Sequence, residues 1–370
     1  MKKKGLALAT AALLLCSCGQ NSNLQGDISG IDTDTLLLYQ TNAVTGKWVG
    51  IDTLTLQQGH FETQIGDSIL LNIAITAKNK PGEKKAQVIG QSFLFFPGDQ
   101  MTLTGTPPYE VTASGTTLYD LLAEDAKLTQ KGKALNRLEK MLDEIEDEEA
   151  VDSLEKCYDQ AEKELCAASL NFIKRHPDSR AAAYLSLNLD GKEGLEAVNT
   201  LSENMRNGVM KPIIDEYEDY YENAVETEKH RLDIQPGKAA PDFQLKDLDG
   251  KVRSLADFSG KYTVLDFWGT WCGWCLAGIP QMKVYAKKYA DKVEFVGICC
   301  ADTETQWKKC VEQRKMIWTQ LFNGEADNVP TIYGVDGYPT KIIIDPEGKI
   351  KAVFEGESQE FYDWLDQNFG

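Results

Sequence analysis

Along residues 26–115 the apolar positions come in short runs with turn formers between them. TDTLLLYQ, WVGIDTLTL, GHFETQIG, ILLNIAITA and QSFLFFPGDQMTLTG are rich in β-branched and aromatic residues, punctuated by Gly, Asn, Asp and Pro. Such runs pack well on a pleated surface, so they predict antiparallel strands in a sandwich or small barrel. From 117 to 230 the period changes. LYDLLAEDAKL and ALNRLEKMLDEIEDEEAVDSLEKCYDQAEKELCAASLNFIKRH set apolar residues three and four apart among charges, which places them on one stripe of a helix. His176-Pro177-Asp178-Ser179 ends one helix and caps the next, and Asp190-Gly191 marks a further break. Gln235 to Pro241, QPGKAAP, has the composition of a linker. Beyond it KYTVLDFWG and KVEFVGICCA read as strands, and LAGIPQMKVYAKKYA and ETQWKKCVEQRKM as helices. TKIIIDPEGKIKAVFEG reads as a hairpin turning at Asp345-Pro346-Glu347-Gly348, and ESQEFYDWLDQNF as a last helix. Alternating strands and helices predict an α/β sheet.

The N-terminus adds a targeting segment. MKKKGLALATAALLLCSCG has a lysine-rich start, an apolar run too short to cross a bilayer, and a small-residue exit, which together make a secretory signal. The exit resembles a bacterial lipoprotein signal, with Cys18 after Ser17 as the lipidated residue and Cys16 the weaker candidate. The expected organisation is a signal peptide over 1–17, a tether over 18–25, a sandwich-like antiparallel β domain over 26–115, an acidic helical region over 116–232 and an α/β domain over 233–370. This is a soluble body on a lipid tether, facing an oxidising compartment.

Charge changes the picture only by exclusion. The formal net charge is −18, and residues 121–230 hold 26 Asp and Glu against 14 Lys and Arg. This concentration is that of solvated helix faces, and no basic patch offers itself to nucleic acid. His60, alone beside a turn glycine, fits a surface or packing role. Cys157 and Cys166 lie on opposite sides of one helix, too far apart to bond each other, and read as packed thiols.

The chemistry is concentrated in FWGTWCGWCLAGIP, residues 267–280, where Cys272 and Cys275 stand among Trp268, Trp271 and Trp274. Structural zinc needs four ligands, and this segment has no second C-x-x-C and no histidine near it. Covalent haem needs a histidine at 276, which is leucine. A purely structural disulfide would constrain little, because the loop it closes is so short. Redox chemistry accounts for the pattern best. A strand, turn and helix put Cys272 at a helix N-terminus, where free N–H groups and the helix dipole favour thiolate over thiol. Cys275 follows by almost one turn, so an exposed thiolate at 272 can attack a partner disulfide and Cys275 can resolve the product.

VLDFWGTWCGWCLAGIP resembles the active-site strand and helix of the thioredoxin superfamily. PGKAAPDFQLKDLDGKVRSLADFSGKYTVLDFW resembles the opening segment of its extracytoplasmic TlpA/ResA-like branch, shared with the AhpC/TSA peroxiredoxins. Gly337-Tyr338-Pro339-Thr340 before KIIIDPEGKI resembles the cis-proline loop, and Pro280 the proline that bends the active-site helix. The resemblance spans roughly 235–370, and the preceding β and helical regions resemble the arrangement of such lipoproteins in Bacteroidetes. It implies a thioredoxin-like domain with Cys272 attacking, Cys275 resolving and Asp266 as a buried acid that accepts the Cys275 proton. It also implies a substrate-binding rim of Trp271, Gly273 and Trp274 facing Tyr338, Pro339 and Thr340. Trp268 reads as core.

Three positions depart from the family pattern. Trp274 stands where proline often precedes the second cysteine. Gly278 stands near a helix position that often carries an acid, and the lysine usually paired with the buried acid has no clear counterpart in VEFVGICC. Cys299 and Cys300, adjacent on a strand, face opposite ways and default to buried thiols; a second redox pair with Cys310 is the alternative. The resulting expectation is a periplasm-facing, lipid-anchored thiol–disulfide oxidoreductase of the cell envelope, without cofactor or metal and with reduction the favoured direction. Its partners would be disulfide-containing extracytoplasmic proteins and a membrane electron donor of the DsbD/CcdA type. The alternatives are a thiol peroxidase, or a binding or scaffold lipoprotein whose redox domain is vestigial.

Overall fold

The computed structural model describes residues 22–66, 68–78, 88–89, 92–145, 147–324 and 328–370. The signal peptide and Cys18 lie outside the described residues. The chain forms two compact units, one ending at Glu218 and one starting at Asp219.

The first unit opens with eight strands: β1 (Leu24–Ile28), β2 (Thr35–Asn42), β3 (Trp48–Thr55), β4 (His60–Thr63), β5 (Leu71–Ala77), β6 (Phe93–Phe95), β7 (Met101–Thr106) and β8 (Glu110–Ser114). They make two four-stranded sheets, ordered β4-β1-β7-β8 and β3-β2-β5-β6. All pairs are antiparallel except β1 with β7, which is parallel. Leu24, Leu36, Leu38, Ile73, Ile75, Phe95 and Leu103 are buried, each from one face of its strand, which is the alternation that a half-covered sheet requires. β1 begins at Leu24, inside the segment expected as tether, and β8 was not anticipated. In LQGDI and EVTAS, Gly, Asp and Ser dilute the β-forming signal, and pairing in the sheet overrides it.

The helical region comprises α1 (Thr117–Glu124), α2 (Ala126–Glu144), α3 (Glu148–Arg175), α4 (Arg180–Ser186), α5 (Gly191–Thr200), α6 (Glu203–Arg206) and α7 (Lys211–Arg231). Caps sit where side chains can accept free N–H groups: Thr116 from Tyr119, Asp125 from Leu128 and Ser179 from Ala182. The division between units falls inside α7, ahead of the linker read from composition. The end of this helix belongs to the second unit: Thr331 donates to Asn223 Oδ1 at 2.7 Å, and Arg231 pairs with Asp336.

The second unit contains β9 (Gln244–Asp247), β10 (Val252–Ser254), β11 (Tyr262–Trp268), α8 (Gly273–Lys288), β12 (Val293–Cys299), α9 (Glu304–Arg314), β13 (Thr319–Phe322), α10 (Val329–Ile332), β14 (Thr340–Ile344), β15 (Ile350–Glu355) and α11 (Gln359–Phe369). The seven-stranded sheet runs β10-β9-β13-β12-β11-β14-β15. β11, β12 and β13 are parallel, joined by helical crossovers, and β14 and β15 add antiparallel. This is the thioredoxin-like domain the motifs implied. Alternation sends Leu265, Phe267, Val296, Ile298, Ile342 and Ile344 to one core with Phe243, Phe258 and Tyr333. Val264, Phe295 and Ile343 go to the other, under Ile279 and Met282 of α8 and Phe361 and Leu365 of α11. β11 is central, so whatever follows its C-terminal end is held by packing on both faces.

Candidate active site

β11 is an unbroken buried strand, and the turn after it is fastened on two sides. The Thr270 N–H donates to Asp302 Oδ2 at 2.7 Å, and the Trp271 indole N–H to the Cys300 carbonyl at 3.3 Å. This turn delivers Cys272 as the N-cap of α8, in extended backbone. Its sulfur accepts the Cys275 N–H at 3.1 Å and is bonded to the sulfur of Cys275, with Cα atoms 5.3 Å apart. A sulfur at an N-cap takes the place of the oxygen that usually satisfies such an N–H, and the positive end of the helix favours negative charge on it.

The surroundings are more closed than the sequence suggested. Cys272 and Cys275 are each 6% exposed and share an apolar cluster with Trp268, Cys299, Trp307 and Val311. Openness lies beside them: Trp271 is 55% and Trp274 73% exposed, and a side chain at Gly273 would meet open space. Trp271 is nonetheless fixed, edge-on to Tyr338 with ring centroids 5.4 Å apart. The Tyr338–Pro339 peptide is cis. Thr340 pairs with Phe267 at the end of β11, which brings this loop alongside the cysteines. Thr340 Oγ1 donates to the Gly337 carbonyl at 2.8 Å, and the Gly356 N–H to the Pro339 carbonyl at 2.8 Å. The structure thus gathers Cys272, Cys275, Trp271, Gly273, Trp274, Tyr338, Pro339 and Thr340 at one end of the sheet.

Asp266 is buried, 8% exposed, on the sheet face shared by Val264 and Trp268, the face that α8 covers. Burial is the main cause that pushes its carboxyl up to about 6; the Lys341 ammonium opposes this and the Glu357 carboxylate adds to it. Lys341 and Glu357 were missed in the sequence. Lys341 lies directly opposite Asp266 in the β11–β14 register and is 1% exposed. Its signal was a lone cation in the apolar strand TKIII. Glu357 lies beyond the hairpin, next to Gly356, and gave no local sign.

The remaining cysteines of the second unit are free. Cys299 faces the disulfide cluster and Cys300 the opposite core, as alternation requires. Burial raises all three thiols, Cys299, Cys300 and Cys310, and the Asp302 carboxylate raises Cys299 further, so none is a ready thiolate. Cys157 and Cys166 are unbonded, and exposed His60 lies 2.8 Å from Asp27. Among the described residues no group of three His, Cys, Asp or Glu side chains comes together as metal ligands would, and no helix is long and apolar enough to cross a membrane.

Comparison with known proteins gives the same region a wider setting. The AhpC/TSA family profile matches residues 236–353. Over 132 residues the chain is 36% identical to thiol-disulfide oxidoreductase ResA of Bacillus thuringiensis subsp. konkukian, covering 35% of this chain and 75% of that protein. It is 35% identical over 131 residues to thioredoxin-like protein YneN of Bacillus subtilis, covering 35% and 76%. A solved structure, the thioredoxin domain of a thiol-disulfide oxidoreductase from Bacteroides vulgatus, is 32% identical with a TM-score of 0.35, covering 37% of this chain and 99% of that one.

Proposed function

The chain belongs to the ResA-like family of thiol-disulfide oxidoreductases, and from that premise we propose that Cys272 and Cys275 are its redox pair and protein disulfides its substrates. The observation that carries the reading is Cys272 at the N-cap of α8, bonded to Cys275 and flanked by exposed tryptophans and the Pro339 loop. In the reductive direction the Cys272 thiolate attacks one sulfur of a client disulfide. The client S–S bond breaks, a mixed disulfide forms, and the first client sulfur leaves as thiolate. Cys275 then gives its proton to Asp266 and attacks Cys272, releasing the second client thiolate. Two electrons pass to the client. Its two thiolates take up protons, one from solvent that Cys272 lost on ionising and one from Asp266. Trp271, Gly273 and Trp274 form the rim on which the client lies, and Tyr338, Pro339 and Thr340 offer it backbone.

The leader supports a lipid anchor at Cys18 and a place in the cell envelope facing the periplasm, with a DsbD/CcdA-type membrane protein returning electrons. Reduction of insulin by the reduced protein tests the chemistry. The wild type reduces it, Cys272→Ser does not, and equal rates would end the assignment. Fast consumption of peroxide without exchange on insulin would favour the peroxidatic reading that the AhpC/TSA profile match keeps in view.

A further inference from the structure

Two charges beside Asp266, the buried Lys341 and the half-buried Glu357, have no task in the mechanism above. We infer that Glu357 is a positioning residue for the acceptor of the Cys275 proton: it holds the Lys341 ammonium and so keeps it at the outer limit of ion-pair distance from Asp266, beyond a hydrogen bond. The inference rests on the reading that Asp266 takes this proton.

Lys341 faces both acids and binds them unequally. Its Nζ is 2.7 Å from Glu357 Oε2 and 3.8 Å from Asp266 Oδ1. The other Glu357 oxygen, Oε1, accepts the Tyr362 hydroxyl at 2.7 Å. Glu357 is thus doubly satisfied, while buried Asp266 Oδ1 accepts no hydrogen bond among the described residues. A carboxylate left in that condition is disfavoured against the neutral acid. The three groups together carry one cation and two acids, and the acid less closely bound to the cation, Asp266, is the one placed to take up and release a proton.

Glu357 reaches this place through a gap in the active-site helix. Its carboxylate lies against Gly278, three residues past Cys275, where an added Cβ would stand 2.5 Å from Glu357 Cδ. Any other residue at 278 would compete for that space. The preceding Gly356, at φ 76°, holds the turn, and its N–H is the one bound to the Pro339 carbonyl. The charged groups that act on Asp266 are therefore Lys341 from β14 and Glu357 from the turn after β15, with the Tyr362 hydroxyl of α11 and the Cys300 thiol, just past β12 on the opposite face, as its further titratable neighbours.

The test is the pH dependence of mixed-disulfide resolution. The reduced full chain is mixed with an aromatic disulfide in single turnover, and loss of the Cys272 adduct is followed. In the wild type the rate rises with pH through a midpoint, and Asp266→Asn abolishes that midpoint. Glu357→Gln removes a repelling charge and frees Lys341 for Asp266, so the midpoint falls by about one pH unit and the plateau rate falls with the weaker base. Lys341→Met moves the midpoint up. Opposite shifts from the two substitutions are not what a general loosening of the site produces. Where either variant fails to fold by circular dichroism, Gly278→Ala pushes the carboxylate off Lys341 and gives the Glu357→Gln direction. Midpoints unchanged by Glu357→Gln, or by Gly278→Ala in its place, overturn the inference while the role of Asp266 stands. A midpoint surviving Asp266→Asn overturns both.

Discussion

Asp266 couples protonation to folding, because burial raises its carboxyl from the ordinary 3.8 to about 6. The folded state binds the proton more tightly than the unfolded chain. Stability from this group is fully present below pH 4, falls between about pH 4 and 6, and stays low above. Urea unfolding of the oxidised protein across that range should show the wild type losing about 3 kcal/mol relative to Asp266→Asn. A difference independent of pH would mean that the carboxyl is not held as described. For the cysteines, Cys275→Ser should trap a mixed disulfide at Cys272, read by mass spectrometry, and Cys272→Ser should trap none. At this scale the sequence was informative wherever chemistry is local. The C-x-x-C, Trp271, Trp274 and Pro339 stand in short contiguous motifs. Lys341 and Glu357 act on Asp266 only because β14 and the turn after β15 fold beside β11, and no spacing in the chain encodes that.

Among the elements, strong periodicity was read correctly and weak periodicity was not. α8, β11 and the β14–β15 hairpin have long apolar signals, whereas the signal of β1 is interrupted by Gly26 and Asp27. Contacts between elements were invisible, and Gly334 shows why. Its φ is 61°, and an added Cβ would stand 2.5 Å from the Arg231 backbone, so the end of α7 closes directly onto it. Gly334→Ala meets an unfavourable φ and a backbone clash together, and it should cost about 2 kcal/mol or more in chemical denaturation of the second unit. A cost near zero would show that the helix end yields.

For the whole chain, the consequential difference is where the second unit begins. Composition placed it at 233, just ahead of the linker, but helical periodicity does not say which partner a helix turn packs against. The contacts of Asn223 and Arg231 assign the end of α7 to the redox domain. A fragment of 219–370 should therefore be more stable than one of 233–370, by about 1–3 kcal/mol for the lost packing and polar contacts, measured by urea midpoint. Equal midpoints would return the helix end to the first unit.

The apolar cluster around the cysteines has an optical consequence. Trp268 and Trp307 are packed with the Cys272–Cys275 bond, and the Trp268 indole is held by Gln320 at 3.1 Å. A disulfide is an efficient acceptor for an excited indole, whereas two thiols are poor ones. Emission from the buried tryptophans therefore brightens when the bond opens, and the protein carries a native gauge of its own oxidation state that needs no label.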